Sequence, residues 1–557
     1  MKRIGGRLKA TAGLAGLAFC AAALAQQPVT TPQPGRDRPL PEAAPQPDID
    51  FTIQAPRRSP VPRAVEELTF DVKDVRIVGA TRYGQDVLRP LYQPVIGQTV
   101  HLADLIAIAE QIEARYHQDG YVLTRAFVPT QSVNDGIFQI TVVEGYVAAV
   151  AVQGSDPDTR ERVERMLAPV TAAKPLTLGT LEQALLSANK LPGVSASGLL
   201  RPSATEAGAS ELVVTIKEAP AVSGGVSADN TGTAATGRWT VAADATAASP
   251  FGDGGQLSLN GSTNPRFPKI RYSVGGRYVA PLPLVDGMTY TITGTGSHGE
   301  PGGTVSDESL ITNSTAFGAR VTLPLLVTRQ NEVTLDGGLT VQSSDVKVAG
   351  LTATHDEWRV FDLALTYQNS GWEDGITSVT LDVAQGIPSL GATPDSTIER
   401  SGDTEFTKVT TQIRRTQAID GALSASLLIS GQYSDVHPVL GEAADFGGQL
   451  IGRGYDPAAI TGDMGIGGAL EVRYDLNPSW FYAEAAQVYG FLDGAQVHDH
   501  NGPIDHDKIA STGAGLRITL PENVIVGVYY GKALIGVPGS DEGHRSSRVM
   551  LNTAVRF

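Results

Sequence analysis

Apolar and polar positions follow two different rhythms along this chain. Up to about residue 220 the rhythm is mixed. Val72, Val75, Ile77 and Val78 predict a strand, and Leu102, Leu105, Ile108, Ala109, Ile112 and Tyr116 recur at helical spacing, predicting an amphipathic helix. Two short strands are predicted next, Val122–Val128 and Ile137–Val143, with Asn134-Asp135-Gly136 as turn chemistry between them. The order repeats. Val147, Val150 and Val152 open a second unit, helical segments follow near Arg160–Leu167 and Leu178–Asn189, and Leu199–Leu200 and Leu212–Ile216 read as closing strands. Residues 68–145 and 146–220 are therefore expected to be two copies of one small α/β module.

Beyond residue 220, alternation with period two takes over. Ile270, Tyr272, Val274 and Tyr278 alternate with Arg271, Ser273, Gly275 and Arg277; Phe361, Leu363, Leu365 and Tyr367 with Asp362, Ala364 and Thr366; Leu470, Val472, Tyr474 and Leu476 with Glu471, Arg473 and Asp475. Val379–Val383 and Leu516–Leu520 repeat the pattern. Each run puts apolar side chains on one sheet face and polar ones on the other. A soluble sandwich shares that alternation, but charged residues within the strands suit a water-filled lumen. Compact proline turns are expected at Pro281-Leu282-Pro283, Leu323-Pro324-Leu325, Asn477-Pro478 and Leu520-Pro521-Glu522, with long polar stretches such as Ser297–Thr312 between them. Short turns at one end and long loops at the other describe a transmembrane antiparallel β-barrel over residues 221–557. A spanning strand takes about 9–11 residues, so twelve, sixteen or eighteen strands all fit the length. The final run, Val549, Leu551, Thr553, Val555 and Phe557, shares one face and suits a closing strand.

The N-terminus changes the picture of compartment. Lys2, Arg3, Arg7 and Lys9 precede the apolar stretch Leu14–Leu24, and Ala23-Leu24-Ala25 supplies a small-x-small cleavage site, so residues 1–25 read as a secretory signal peptide. Residues 26–67 hold ten prolines and read as an extended periplasmic linker. Cys20, the one cysteine, leaves with the signal, so no disulfide or thiolate metal site is expected in the mature chain. With a net charge of −16, no basic nucleic-acid surface is expected. Gly294-x-Gly296-x-x-Gly299 matches a dinucleotide fingerprint in spacing, but no helix is expected after it, and it reads as a loop. No phosphate-loop, zinc-protease or nucleophile-elbow string occurs, so neither an enzyme nor a cofactor or metal is expected. His498, Asp499, His500, Asp505, His506 and Asp507 read as a solvated loop rather than a metal site.

Several strings together are more specific. Tyr116-His117-Gln118-Asp119-Gly120-Tyr121, Val128-Pro129-Thr130-Gln131, Asp135-Gly136 and Glu144-Gly145 resemble a POTRA domain of the haemolysin-activator type, and Leu191-Pro192-Gly193-Val194 with Glu211–Val214 resembles its second copy. Gly452-Arg453-Gly454-Tyr455 resembles the R-G-Y/F motif in the sixth extracellular loop of the outer-membrane assembly superfamily, and Gly490-Phe491-Leu492-Asp493 resembles its F-x-D strand motif. The resemblance is to the transporter component of two-partner secretion. It implies two periplasmic POTRA domains before a sixteen-stranded outer-membrane barrel, a loop folded into the lumen with Arg453 meeting Asp493, and export of a large β-rich passenger without ATP hydrolysis. Phe491 and Tyr455 are expected around that contact. A groove lined by Leu105, Ile108, Ile112 and Tyr116 is expected to receive passenger side chains, and open strand edges to pair with its backbone. Val555 and Phe557 resemble a C-terminal signal read by the barrel-assembly machinery, with outer-membrane lipids as the surroundings. Prolines 28–47 leave little room for the family's plug helix, except around Val61–Leu68. The alternatives are a barrel-assembly or insertion factor of the same superfamily, an outer-membrane enzyme such as a lipid hydrolase, and a passive porin.

Overall fold

The structure is a computed structural model that describes residues 51–53 and 68–557, apart from 134, 155, 204–205, 207, 234–235, 267, 301–309, 393–401, 501–506 and 537–545. The signal-peptide reading and the stretch 61–67 lie outside the described residues. The chain divides into two compact units, one over 47–219 and the other over most of 220–557.

The first unit contains the repeat. Its first module runs β2 (Thr69–Asp71), β3 (Asp74–Val78), α1 (Gln85–Tyr92), β4 (Thr99–His101), α2 (Leu102–Gln118), β5 (Arg125–Phe127) and β6 (Ile137–Val143). β3 lies parallel to β6, and β5 antiparallel to it, giving the order β3-β6-β5. The second module runs β7 (Tyr146–Gln153), α3 (Pro157–Met166), α4 (Ala168–Ala172), α5 (Leu178–Ala188), β8 (Val194–Pro202) and β9 (Ala209–Glu218). Here β7 is parallel to β9 and β8 antiparallel to it. The last strand sits centrally in both sheets, so the two modules share one topology.

Local chemistry explains the helices. Asp104 accepts the backbone N–H of His101 at 2.8 Å, closing a capping box at the start of α2. Asp156 accepts the N–H of Thr159 at 3.0 Å, with Pro157 at the first helical position of α3. The sequence reading missed α1, whose Pro90 sits inside it. It also read all of 26–67 as linker, whereas β1 (Phe51–Ile53) pairs in parallel with Gly198–Leu200 of β8. Phe51 and Ile53 pack on the second module's core, which offsets the cost of ordering three residues.

The second unit is a closed antiparallel barrel of sixteen strands. They are β10 (Val222–Asp229), β11 (Thr240–Ala248), β12 (Gln256–Thr263), β13 (Arg271–Pro281), β14 (Thr289–Gly299), β15 (Leu310–Val327), β16 (Asn331–Val348) and β17 (Leu351–Trp372). Then come β18 (Gly375–Gly386), β19 (Thr407–Asp420), β20 (Leu423–Ser434), β23 (Met464–Asp475), β24 (Ala485–His498), β25 (Asp507–Leu520), β26 (Val524–Ala533) and β27 (Ser547–Arg556). Two short strands, β21 (Ala444–Phe446) and β22 (Ile460–Gly462), pair with each other in the loop between β20 and β23. β10 closes the ring by pairing with β27, Val226 opposite Val555.

Side-chain parity divides outside from inside. Phe361, Leu363, Leu365, Leu381 and Val383 are exposed on the outer face, while Asp362, Lys408, Glu471 and Asp493 are buried on the inner one. An apolar outer face and a polar, charged inner one is the pattern of a barrel in lipid. β17 turns into β18 through Glu373 and Asp374, both at positive φ, as a two-residue hairpin of the twist-matched kind requires. Not every expected turn is one. Leu323-Pro324-Leu325 lies within β15, beyond the last register partner on β14, Thr322. Gly294 and Gly296 are strand residues of β14, not loop.

Candidate functional site: a loop held inside the barrel

The 435–463 loop joins β20 to β23, and it carries the Gly452-Arg453-Gly454-Tyr455 string. Arg453 is 6% exposed and Asp493, on β24, 3%. Arg453 Nε donates to Asp493 Oδ2 at 2.8 Å, and its Nη1 donates to Glu471 of β23. The guanidinium lies over the Phe491 ring, 3.6 Å from its centroid. The cation thus meets two carboxylates and an aromatic face in a desolvated place. Asp493 is fully partnered: its Oδ1 takes the Gly452 N–H at 3.0 Å and the Ser511 hydroxyl. Ser511, on β25, accepts the Gly454 N–H at 3.0 Å.

The glycines set how closely the loop meets the wall. Gly452 has φ of +89°, a left-handed backbone that side chains disfavour. A Cβ on Gly454 would sit 2.6 Å from the Ala533 backbone nitrogen. Backbone contact with β26 at that point demands the missing side chain.

The expected aromatic arrangement holds for Phe491 only. Tyr455 points away from the guanidinium. Its hydroxyl donates to the carbonyls of Ala510 (2.9 Å) and Ile535 (2.8 Å), and its ring packs with Phe446, Ile451, Val497, Ile509 and Ala533. Gly490 does not join the contact either. Strand parity puts it on the face of exposed Leu492, opposite Phe491 and Asp493.

Glu471 is the residue that sequence reasoning did not single out. It accepts from Arg473 and Arg517 at 2.8 Å each as well as from Arg453. Three guanidiniums share two acids across β23, β24 and β25. The signal was an inner-parity acid flanked by Leu470 and Val472. Arg548, on β27, was also missed; it donates to the Tyr455 carbonyl at 2.5 Å and pairs with Asp456 at 2.8 Å.

The other candidates fare differently. Leu105, Ile108, Ile112 and Tyr116 are buried in the first module's core. They line no groove, because β3, β6 and α1 already cover that face of α2, and burying it stabilises the module at about 25 cal/mol per Å². The Tyr116 hydroxyl donates to Glu144 at 2.6 Å, and Glu144 also takes the Thr81 hydroxyl and the N–H groups of Thr81 and Arg82 at 2.8 Å each. The strings at 116–121 and 144–145 therefore lock α2 to the end of β6 and to the segment between β3 and α1. The edge of β8 is taken by β1, whereas β3 and β5 are the outer strands of the first sheet. Val555 and Phe557 are exposed on the outer parity of β27 and just past it.

The His/Asp loop is less solvated than expected. Asp499 is 8% exposed and accepts the Asp463 N–H at 3.2 Å; Asp463 in turn takes the His500 N–H at 2.8 Å and pairs with His437 at 2.5 Å. Burial, and then the neighbouring Asp463 charge, push the Asp499 carboxyl above its ordinary pKa. These residues fold against the base of the 435–463 loop. Residues 501–506 lie outside the described set.

Comparison with known proteins places this geometry. Residues 208–518 match the family described as "Haemolysin secretion/activation protein ShlB/FhaC/HecB", and residues 70–145 match "POTRA domain, ShlB-type". A heme/hemopexin transporter protein HuxB of Haemophilus influenzae Rd is 30% identical over 198 residues, covering 35% of this chain and 34% of that one. HuxB of H. influenzae strain 86-028NP is 24% identical over 518 residues, 88% of each chain. In fold, the chain is similar to CdiB from Escherichia coli, with a TM-score of 0.69, 21% identity and coverage of 90% and 93%.

Proposed function

The chain belongs to the haemolysin secretion/activation family of outer-membrane transporters, and on that premise we propose that it exports a large unfolded β-rich passenger through its barrel, with the loop around Arg453 as the working part of the pore. The observation that carries this reading is the buried contact of Arg453 with Asp493 and Glu471 inside a closed barrel. The geometry holds the loop at a defined depth, where passage of a chain has to pass or displace it.

Capture precedes passage. The two modules stand in the periplasm, and their sheets end in β3 and β5 and in β7 and the short β1. An extended passenger segment pairs there through backbone hydrogen bonds, which gives affinity largely independent of sequence. The helix face that packs as core takes no part. The drive in this reading is passenger folding outside the cell; the one dinucleotide-like spacing, Gly294-x-Gly296-x-x-Gly299, lies in strand β14.

The test uses the full chain and its passenger. A passenger stalled in transit is expected to crosslink both to residues in 68–220 and to the inner wall of the barrel. Arg453→Ala is expected to abolish surface delivery while the barrel still migrates as a heat-modifiable folded species. Normal delivery by that variant overturns the role assigned to the loop.

A further inference from the structure

The 435–463 loop is tied to the barrel at a second place, on the strands β16 to β20. A single 3-10 turn, Leu440–Glu442, presents Glu442, which is 6% exposed. Its Oε1 accepts from Gln342 Nε2 of β16 at 2.9 Å and from the Trp358 indole N–H of β17 at 3.1 Å. Its Oε2 takes the ammonium of Lys408 on β19, itself 6% exposed, and its backbone carbonyl accepts from Gln432 of β20 at 2.7 Å. Val439, just before it, is buried with Trp358, Val360, Ala384 and Phe406.

The opposite limb of the loop ends elsewhere. Gln449 reaches Thr231 at 2.9 Å, and Asp456 pairs with Arg238 at 3.3 Å and with Arg548 of β27 at 2.8 Å. β17 and β27 stand eight places apart in the ring of sixteen, which is half the circumference. One loop is thus fastened to opposite walls, and it crosses the bore as a bar.

We propose that Glu442 is a latch: its pairing with Lys408, Gln342 and Trp358 holds one end of the bar, and release of that pairing lets the Leu440–Glu442 turn leave the wall and widens the pore while Arg453 keeps the other end fixed. The two ends are built differently. The Arg453 end is fixed by side chains and by backbone packed on backbone through Gly454. At the Glu442 end, residues 437–439 are bridged backbone to backbone with Asp403, and the turn that follows is held on β16, β17 and β19 through the Glu442 carboxylate, so loss of that charge weakens the hold of the turn on the wall. A buried ammonium left without its partner is costly, and this makes the pairing strongly all-or-none. This inference rests on the export reading for its purpose but not for its measurement, since conductance needs no passenger.

The experiment is single-channel recording of the purified full chain in planar bilayers. Glu442→Lys and Lys408→Glu are each expected to raise conductance above the wild-type value, as release of part of an obstruction in a water-filled bore implies. The double variant, with the charges exchanged, is expected to return to the closed value. Trp358→Phe, which removes one donor and keeps the ring, is the gentler variant; it is expected to raise the frequency of wide openings in a barrel that assembles normally. Unchanged conductance in the single variants and Trp358→Phe overturns the latch. So does a double variant as open as the singles, because a merely disrupted wall would give that result. Raised conductance in the single variants, together with no surface delivery of a passenger by the wild-type chain, would instead count against the export reading alone.

Discussion

Arg453 shows how much of a site rests on one side chain. Its guanidinium makes two ion pairs and a ring contact, all buried, and an ammonium cannot reproduce a planar fork. Removing one partner of such a pair costs about 3–5 kcal/mol, because the other charge is left desolvated. Arg453→Lys is therefore expected to fall nearly as far as Arg453→Ala in surface delivery of the passenger, although its charge is unchanged. Gly454→Val is expected to displace the loop from β26, because a branched side chain cannot enter a gap where Cβ alone would be 2.6 Å from a backbone nitrogen. Protease accessibility of the 450–456 segment, compared between wild type and variant, checks that displacement.

At the scale of elements, Glu144, just past β6, joins α2 to the segment between β3 and α1. Burial raises its pKa, but bonds from Thr81, Tyr116 and the backbone of Arg82 and Thr81 outweigh burial, and the net value lies below the ordinary 4.5. A carboxyl shifted down contributes stability that is present above its unfolded value and lost as pH falls through the folded one. Glu144→Gln is thus expected to speed amide exchange in 80–84 and 116–121 at neutral pH, and to match wild type in acid. Equal effects at both pH values would show that the charge is not what holds the joint. The same carboxylate, with burial acting first, raises the Tyr116 hydroxyl above its ordinary range. Strand β1 makes the companion point that a short apolar-polar-apolar segment, Phe51-Thr52-Ile53, acquires structure from the sheet it joins.

For the whole molecule, the decisive property is which face meets lipid. Leu363 is exposed on the outer face and Thr366, bonded to Thr380 at 3.1 Å, is on the inner one. An arginine on the lipid face of a barrel costs about 2–4 kcal/mol at the membrane midplane, whereas a watered lumen solvates it. Leu363→Arg is expected to reduce the yield of folded barrel, read by heat-modifiable migration, and Thr366→Arg to leave it close to wild type. Equal losses in the pair would contradict the assignment of faces.

Period-two alternation by itself determined that residues 221–557 form strands with one apolar face, and the spacing at 102–116 determined α2, because both are readings of local geometry that side-chain chemistry repeats every few residues. The repeat at 68–220 was legible for the same reason, and the Arg453 and Asp493 strings were legible through their resemblance. The strand number, sixteen, came through the resemblance and not from the alternation, since closure of a ring depends on register between strands that sequence does not encode locally. Tertiary structure alone decided that Leu105, Ile108, Ile112 and Tyr116 are core, because a helix face looks the same whether a groove or a sheet lies against it. And it alone brought Glu471 to Arg453 and Glu442 to Lys408, pairs formed between segments that meet only because the barrel closes around its own loop.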